Sequence, residues 1–346
     1  MMIYFNSDYL EGAHPAVMAR LMETNMVQTV GYGEDEYCET AREKIKLACQ
    51  APEADVHFLV GGTQTNTTVI AAILRPWQGV LSAVSGHINC HEAGAIESTG
   101  HKVITLPTNN GKITAQQVRD YVEWHKNDES TEHIVQPGMV YISHPTEGGT
   151  LYSKAELTAL YDTCKQYGLP LFIDGARLGY GLVADGSDIT LPELARLCDV
   201  FYIGGTKVGA LFGEAVVIMN EALKKDFRFI MKQRGGRLAK GRLLGIQFDA
   251  LFTDDLYLTI SRHAIDMAYQ IREIFVSAGY PLLFDSPTNQ QYPIMPDDEL
   301  AEIGKNFGYE YWERTDPTHS GVRFCASWAT TQELSLIHIS EPTRPY

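Results

Sequence analysis

Two apolar segments of this chain each run into a chemically distinctive side chain. Leu171-Phe172-Ile173-Asp174 delivers a carboxylate ahead of Gly175-Ala176-Arg177, and Val200-Phe201-Tyr202-Ile203-Gly204-Gly205-Thr206-Lys207 delivers an amine. Apolar runs of this length, closed by small residues, read as buried strands, and α/β proteins bind ligands beyond the C-terminal ends of such strands. Taken singly, Asp174 reads as a cap of the next helix and Lys207 as a solvated lysine. Taken together on consecutive strands they meet the needs of pyridoxal phosphate. That cofactor requires an amine for its aldehyde and an anion that keeps its pyridine nitrogen protonated, so that the ring can accept electrons.

Two further segments fit beside them. Val60-Gly61-Gly62-Thr63-Gln64-Thr65-Asn66 is a glycine turn between a strand and a helix. Its N–H groups, with the Thr63 hydroxyl, can hold a phosphate at the positive end of the helix dipole, although a plain tight turn explains it equally well. It matches neither the dinucleotide nor the nucleotide-triphosphate glycine pattern, which argues against a Rossmann reading. Ser85-Gly86-His87-Ile88-Asn89-Cys90-His91-Glu92 places His87 on a loop, where an imidazole can stack on the pyridine ring and move protons near neutral pH.

These groups need a scaffold. From residue 38 to 220 amphipathic and apolar segments alternate: helices at 39–50 and 64–74, strands at 56–60, 80–84, 139–143 and 171–174, and capping boxes at Thr114-x-x-Gln117 and Ser153-x-x-Glu156. The rhythm predicts an α/β fold with a mostly parallel sheet flanked by helices. After Asn220 helical signals dominate, through 221–232 and 240–278, and at 346 residues a second, smaller domain is expected. The expected division is an N-terminal segment at 1–14 contributing to the active site, a large cofactor-binding domain at 15–245 and a small α+β domain at 246–333. Residues 334–346 carry no helical period, resemble a translated sequencing-adapter tail and are read as non-native, after a helix start at 330–333.

Composition narrows the partners. A formal net charge of −15 without a compensating basic cluster argues against nucleic acid. The six cysteines show no C-x-x-C or close pairing, so no metal site or disulfide framework is indicated and a cytoplasmic setting fits. The N-terminus has no signal-peptide pattern and no apolar run is long enough to span a bilayer.

In their order these motifs resemble the L-threonine aldolase family, within the aromatic amino-acid β-eliminating lyase group of fold-type-I pyridoxal-phosphate enzymes. The resemblance runs from about Asn6 to Thr331. Asn6-Ser7-Asp8 is similar to the family's R-S-D, Tyr32-Gly33-Glu34-Asp35 to its Y-G-E-D, Gly61-Gly62-Thr63 to its S-G-T, Asp174 to Arg177 to its D-G-A-R, Thr206-Lys207 to its S-K, and Val322-Arg323-Phe324 to its arginine strand. It implies that Lys207 binds the cofactor aldehyde, Asp174 pairs with the ring nitrogen, His87 stacks on the ring, and Gly62 and Thr63 hold the phosphate. Ser7, Arg177 and Arg323 would grip the substrate carboxylate, a task suited to the guanidinium fork. His133 would stand near the substrate hydroxyl. His91 would replace an aromatic residue that contacts substrate from a neighbouring subunit, and Arg237 or Lys240 would reach a partner's phosphate, a surface basic patch being the simpler reading. A homodimer or homotetramer is implied.

The expected reaction is retro-aldol cleavage of threonine, allo-threonine or a related β-hydroxy-α-amino acid to glycine and an aldehyde, with His87 or His133 taking the hydroxyl proton. The nearest alternative keeps the cofactor and carries out β-elimination or transamination on another amino acid, and a fragment without activity is a third reading.

Overall fold

The computed structural model describes residues 2–332; the helix start read at 330–333 lies partly, and the tail at 334–346 wholly, outside them. Seven strands form the central sheet: β1 (Asp55–Leu59), β2 (Gln78–Ala83), β3 (Val103–Leu106), β4 (Gln136–Ser143), β5 (Leu171–Asp174), β6 (Val200–Gly204) and β7 (Glu214–Ile218). Their order is β1-β7-β6-β5-β4-β2-β3, and β7 alone runs antiparallel to its neighbours.

Side chains alternate between two cores because successive residues of a strand face opposite sides. Val140, Ile142, Leu171, Ile173, Phe201 and Ile203 enter one core. Met139, Tyr141, Phe172, Val200 and Tyr202 enter the other. Both faces are covered, which is why the strands read as continuous apolar runs rather than alternating ones. Asp174 shares the Phe172 face by the same parity, so the hydroxyls of Tyr141 and Tyr202 stand on its side of the sheet.

The expected helices form with their caps. Thr114 and Ser153 close full capping boxes on helices Ala115–Asn127 and Lys154–Tyr167. The helical run expected at 240–278 divides into Arg242–Leu251 and Leu256–Ser277, because Asp254 and Asp255 take φ of 51° and 54° between them. The run at 221–232 is likewise interrupted at Asp226, with φ of 63°. Aspartate tolerates this left-handed region better than most residues, a property that helical periodicity does not register.

Beyond the second break, helix Leu256–Ser277 packs against strands Ile294–Pro296 and His319–Cys325, and His319–Cys325 pairs antiparallel with both Ile294–Pro296 and Glu310–Arg314. The N-terminus belongs to this layer as well. Ile3–Tyr4 pairs in parallel with Phe307–Gly308, and Phe5 enters the small core beside Phe307 and Phe324. Residues 6–8 then pass across the junction, bringing Asp8 against Arg177. Among the described residues no helix is long and apolar enough to cross a membrane.

Candidate active site

The C-terminal ends of β4, β5 and β6 meet at one buried carboxylate. Asp174 Oδ1 accepts from the Tyr202 hydroxyl at 2.5 Å and the Ala176 N–H at 3.0 Å, and Oδ2 accepts from the Tyr141 hydroxyl at 2.6 Å and the Asn66 amide at 3.1 Å. Burial opposes its ionisation, but His87 and these donors outweigh burial and hold its pKa below the usual carboxylate value. Asp174 is therefore ionised near neutral pH. Four donors already occupy its acceptor positions, so a pyridine nitrogen arriving there takes the place of one of them.

Lys207 follows β6 and lines a cavity of about 720 Å³, together with Arg177, Arg323, His87, His91 and Glu147. Burial and the Arg177 charge lower its pKa, against the pull of Asp8, Asp174 and Glu214. A lysine so placed keeps more of the neutral amine that attacks a carbonyl. Glu214, at the start of antiparallel β7, accepts from the Thr206 hydroxyl and the Gly205 N–H, and burial raises it to about 8.

Arg177 is held from behind. Its Nε and Nη2 donate to the two carboxylate oxygens of Asp8 at 2.7 and 3.0 Å, and Asn289 donates to the same carboxylate at 2.8 Å. Arg323 donates to Gln290 at 3.2 Å and to the Asn6 carbonyl at 2.9 Å. The two guanidiniums thus arrive from the large and small layers with their orientation fixed by neighbours. Ser7 is buried and is not among the residues that line the cavity.

His87 begins a short turn, and its Nδ1 lies 2.7 Å from Glu92. Glu92 also accepts from Asn66, which in turn donates to Asp174, so the histidine and the aspartate are linked through two buried side chains. His91 stands beside His87 in the same chain, ring centroids 5.5 Å apart; burial, His87 and Arg323 depress its pKa.

Gly62 and Thr63 open helix Gly62–Ile73, whose N-cap, Gly61, supplies no side-chain cap. Its first-turn N–H groups are available to an anion. A methyl group on Gly62 would come within 3.2 Å of the Tyr202 hydroxyl, so this helix start lies one side chain from Asp174. Arg237 is 3.6 Å from Glu34 and lies over the Tyr32 ring at 5.8 Å, while Lys240 is exposed. Gln64 joins the phosphate-type turn to this basic stretch by donating to the Arg234 carbonyl at 3.1 Å.

His133 does not belong to the site. It lies exposed in the turn Thr131–His133, before the N-terminal end of the eight-residue β4, whereas the site is at the C-terminal end. At about 3.3 Å per residue the strand separates the two by about 25 Å. A histidine that precedes a parallel strand is delivered to the wrong edge of the sheet.

The residues present fit pyridoxal phosphate. Buried Ser85 Oγ and Asn66 Oδ1 have no hydrogen-bond partner among the described residues; Ser85 lines the cavity beside His87, and the Asn66 amide donates to Asp174. Such orphaned groups suit a polar ring rather than an apolar ligand. Lys207 would meet the aldehyde, Asp174 the ring nitrogen, and the N–H groups at Gly62 and Thr63 the phosphate.

Comparison with known proteins agrees with this geometry. A family model described as β-eliminating lyase matches residues 5–289. The low specificity L-threonine aldolase of Pseudomonas aeruginosa is 30% identical over 332 residues, covering 95% of this chain and 94% of the relative. A solved Leishmania major threonine aldolase superposes with a TM-score of 0.93 at 42% identity, covering 96% of each chain. Aspartate aminotransferase from Thermus thermophilus, at 14% identity and a TM-score of 0.69 over 96% of this chain and 89% of its own, shares the fold.

Proposed function

Because the chain belongs to the β-eliminating lyase family, we propose that it is a pyridoxal-phosphate-dependent aldolase that cleaves threonine, allo-threonine or related β-hydroxy-α-amino acids to glycine and an aldehyde. The observation that carries this reading is the convergence of an amine, Lys207, and a buried anion, Asp174, from adjacent strand ends beside a cavity that also holds two arginines and His87. The bound cofactor supplies an electron sink for the pair released when the Cα–Cβ bond breaks.

This chain's own residues do the rest. Lys207 presents an amine of lowered basicity that can release and recapture the cofactor. Asp174, its pKa held below the usual carboxylate value, would keep a proton on the ring nitrogen. Arg177 and Arg323 orient the substrate carboxylate, each fixed by its own partners so that little freedom is lost on binding. His87, with Nδ1 committed to Glu92, covers the ring face. Arg237 and Lys240 are proposed to serve a partner's phosphate in a cytoplasmic homodimer or homotetramer. Exposed Met22, Met26 and Val30 and six unpaired cysteines support an apolar interface and a reducing compartment.

Incubation of the cofactor-loaded protein with threonine should release acetaldehyde and glycine in equal amounts, and Lys207→Ala should abolish the release. Ammonia and a keto acid as main products would favour elimination instead.

A further inference from the structure

The cavity wall carries a carboxylate with no counterpart in the sequence motifs. Glu147 stands in the loop after β4, and its Oε1 accepts from the His87 N–H at 2.8 Å and the Ser143 hydroxyl at 2.6 Å. Ser143 is itself the register partner of Asp174, so the carboxyl lies at the same strand end. The backbone is held from the small layer, where the Tyr292 hydroxyl donates to the Glu147 carbonyl at 2.7 Å and Gln290 donates to it at 3.4 Å. The hydrogen bonds from other described residues, His87 and Ser143, both fall on Oε1 rather than Oε2, and the side chain lines the cavity that contains Lys207. The other carboxylates on that wall, Glu310 and Glu313, are exposed on strand Glu310–Arg314.

We propose that Glu147 is the catalytic residue that accepts the β-hydroxyl proton of the substrate, an assignment that rests on the aldol-cleavage reading above. The hydroxyl proton passes to Oε2, and the electron pair it leaves on oxygen closes the aldehyde C=O as the Cα–Cβ bond breaks. The pair from that bond remains with the Cα side until a proton returns there to give glycine, and the Glu147 proton leaves to solvent through the cavity. The charges that face Glu147 support the role. Burial and Asp174 raise its pKa, with Ser143 and His87 opposing, which brings the carboxylate nearer to the basicity that proton abstraction needs at neutral pH. The competing acceptor, His87, has Nδ1 engaged with Glu92.

A purely structural role is separable, because glutamine offers the same Oε1 acceptor to His87 and Ser143. The E147Q protein should keep its melting temperature and its affinity for pyridoxal phosphate, read from visible absorbance. It should exchange the Cα hydrogens of glycine for solvent deuterium within about twofold of wild type, since glycine has no hydroxyl. Its kcat for threonine and allo-threonine should fall by about 10²- to 10³-fold, the span of general-base contributions, with partial recovery in E147D. Cleavage within about threefold of wild type would overturn the assignment and leave the proton to His87 or water. So would a parallel loss of glycine exchange. If the wild-type protein exchanges glycine but releases no aldehyde from either substrate, the aldolase reading itself fails, and Glu147 falls with it.

Discussion

Replacing Asp8 by asparagine tests how the substrate arginine is held. In the folded protein the Asp8 carboxyl titrates at about 2 instead of 3.8, although burial alone would raise it, because Arg177, Lys207 and the Asn289 hydrogen bond favour the anion. A carboxyl lowered by this much on folding carries about 2.5 kcal/mol of stability. Since the folded pKa is the depressed one, that contribution is fully present above about pH 4 and is lost as pH falls towards 2. Arg177 is raised in turn, but a guanidinium stays charged wherever the protein folds, so the aspartate sets the observable. The D8N substitution would remove the charge and leave Arg177 buried and unpaired, which costs about 3 to 5 kcal/mol, more than protonation does. Urea unfolding at pH 7 should show that loss, and the fall in stability between pH 4 and 2 should be shallower in D8N than in wild type. With its guanidinium no longer fixed, KM for threonine should rise by about tenfold or more, a loss of about 1.4 kcal/mol in binding. A destabilisation below about 1 kcal/mol, with the wild-type pH slope intact, would refute the buried-pair argument.

Two other substitutions probe the site at its centre and at its excluded candidate. Asp174→Asn should lower turnover of threonine by about 10²-fold or more, because a neutral amide cannot keep the ring nitrogen protonated; steady-state assay with saturating cofactor decides it. His133→Ala should change stability by less than about 0.5 kcal/mol and leave kcat unaltered, as expected of an exposed residue at the far end of β4; a large loss of activity would return His133 to the mechanism.

The large sheet was legible because strands buried on both faces are continuous apolar runs, and β5 and β6 announced themselves because one ends in Asp174 and the other runs on through small residues to Lys207. Period and caps located the helices as well, though not the breaks at Asp226 and at Asp254 and Asp255, which depend on backbone conformation. Asp8 lay inside a motif already read, yet its role emerges only when the N-terminal strand joins the small layer and carries it to Arg177, 169 positions away in sequence. Glu92 follows His87 by five residues and could have been paired with it on loop proximity. Glu147 gave no signal, since Pro145-Thr146-Glu147-Gly148-Gly149 reads as an ordinary turn. His133 misled because nearness to a strand says nothing about which end of that strand faces the ligand.

Binding of the cofactor by one lysine underlies every role proposed for the site. Borohydride reduction of the protein loaded with pyridoxal phosphate, followed by proteolysis and peptide mass mapping, tests it directly. A single pyridoxyl-modified peptide containing Lys207 is expected, absent from the Lys207→Ala protein. Modification spread over surface lysines, or concentrated on another residue with Lys207 unlabelled, would contradict it.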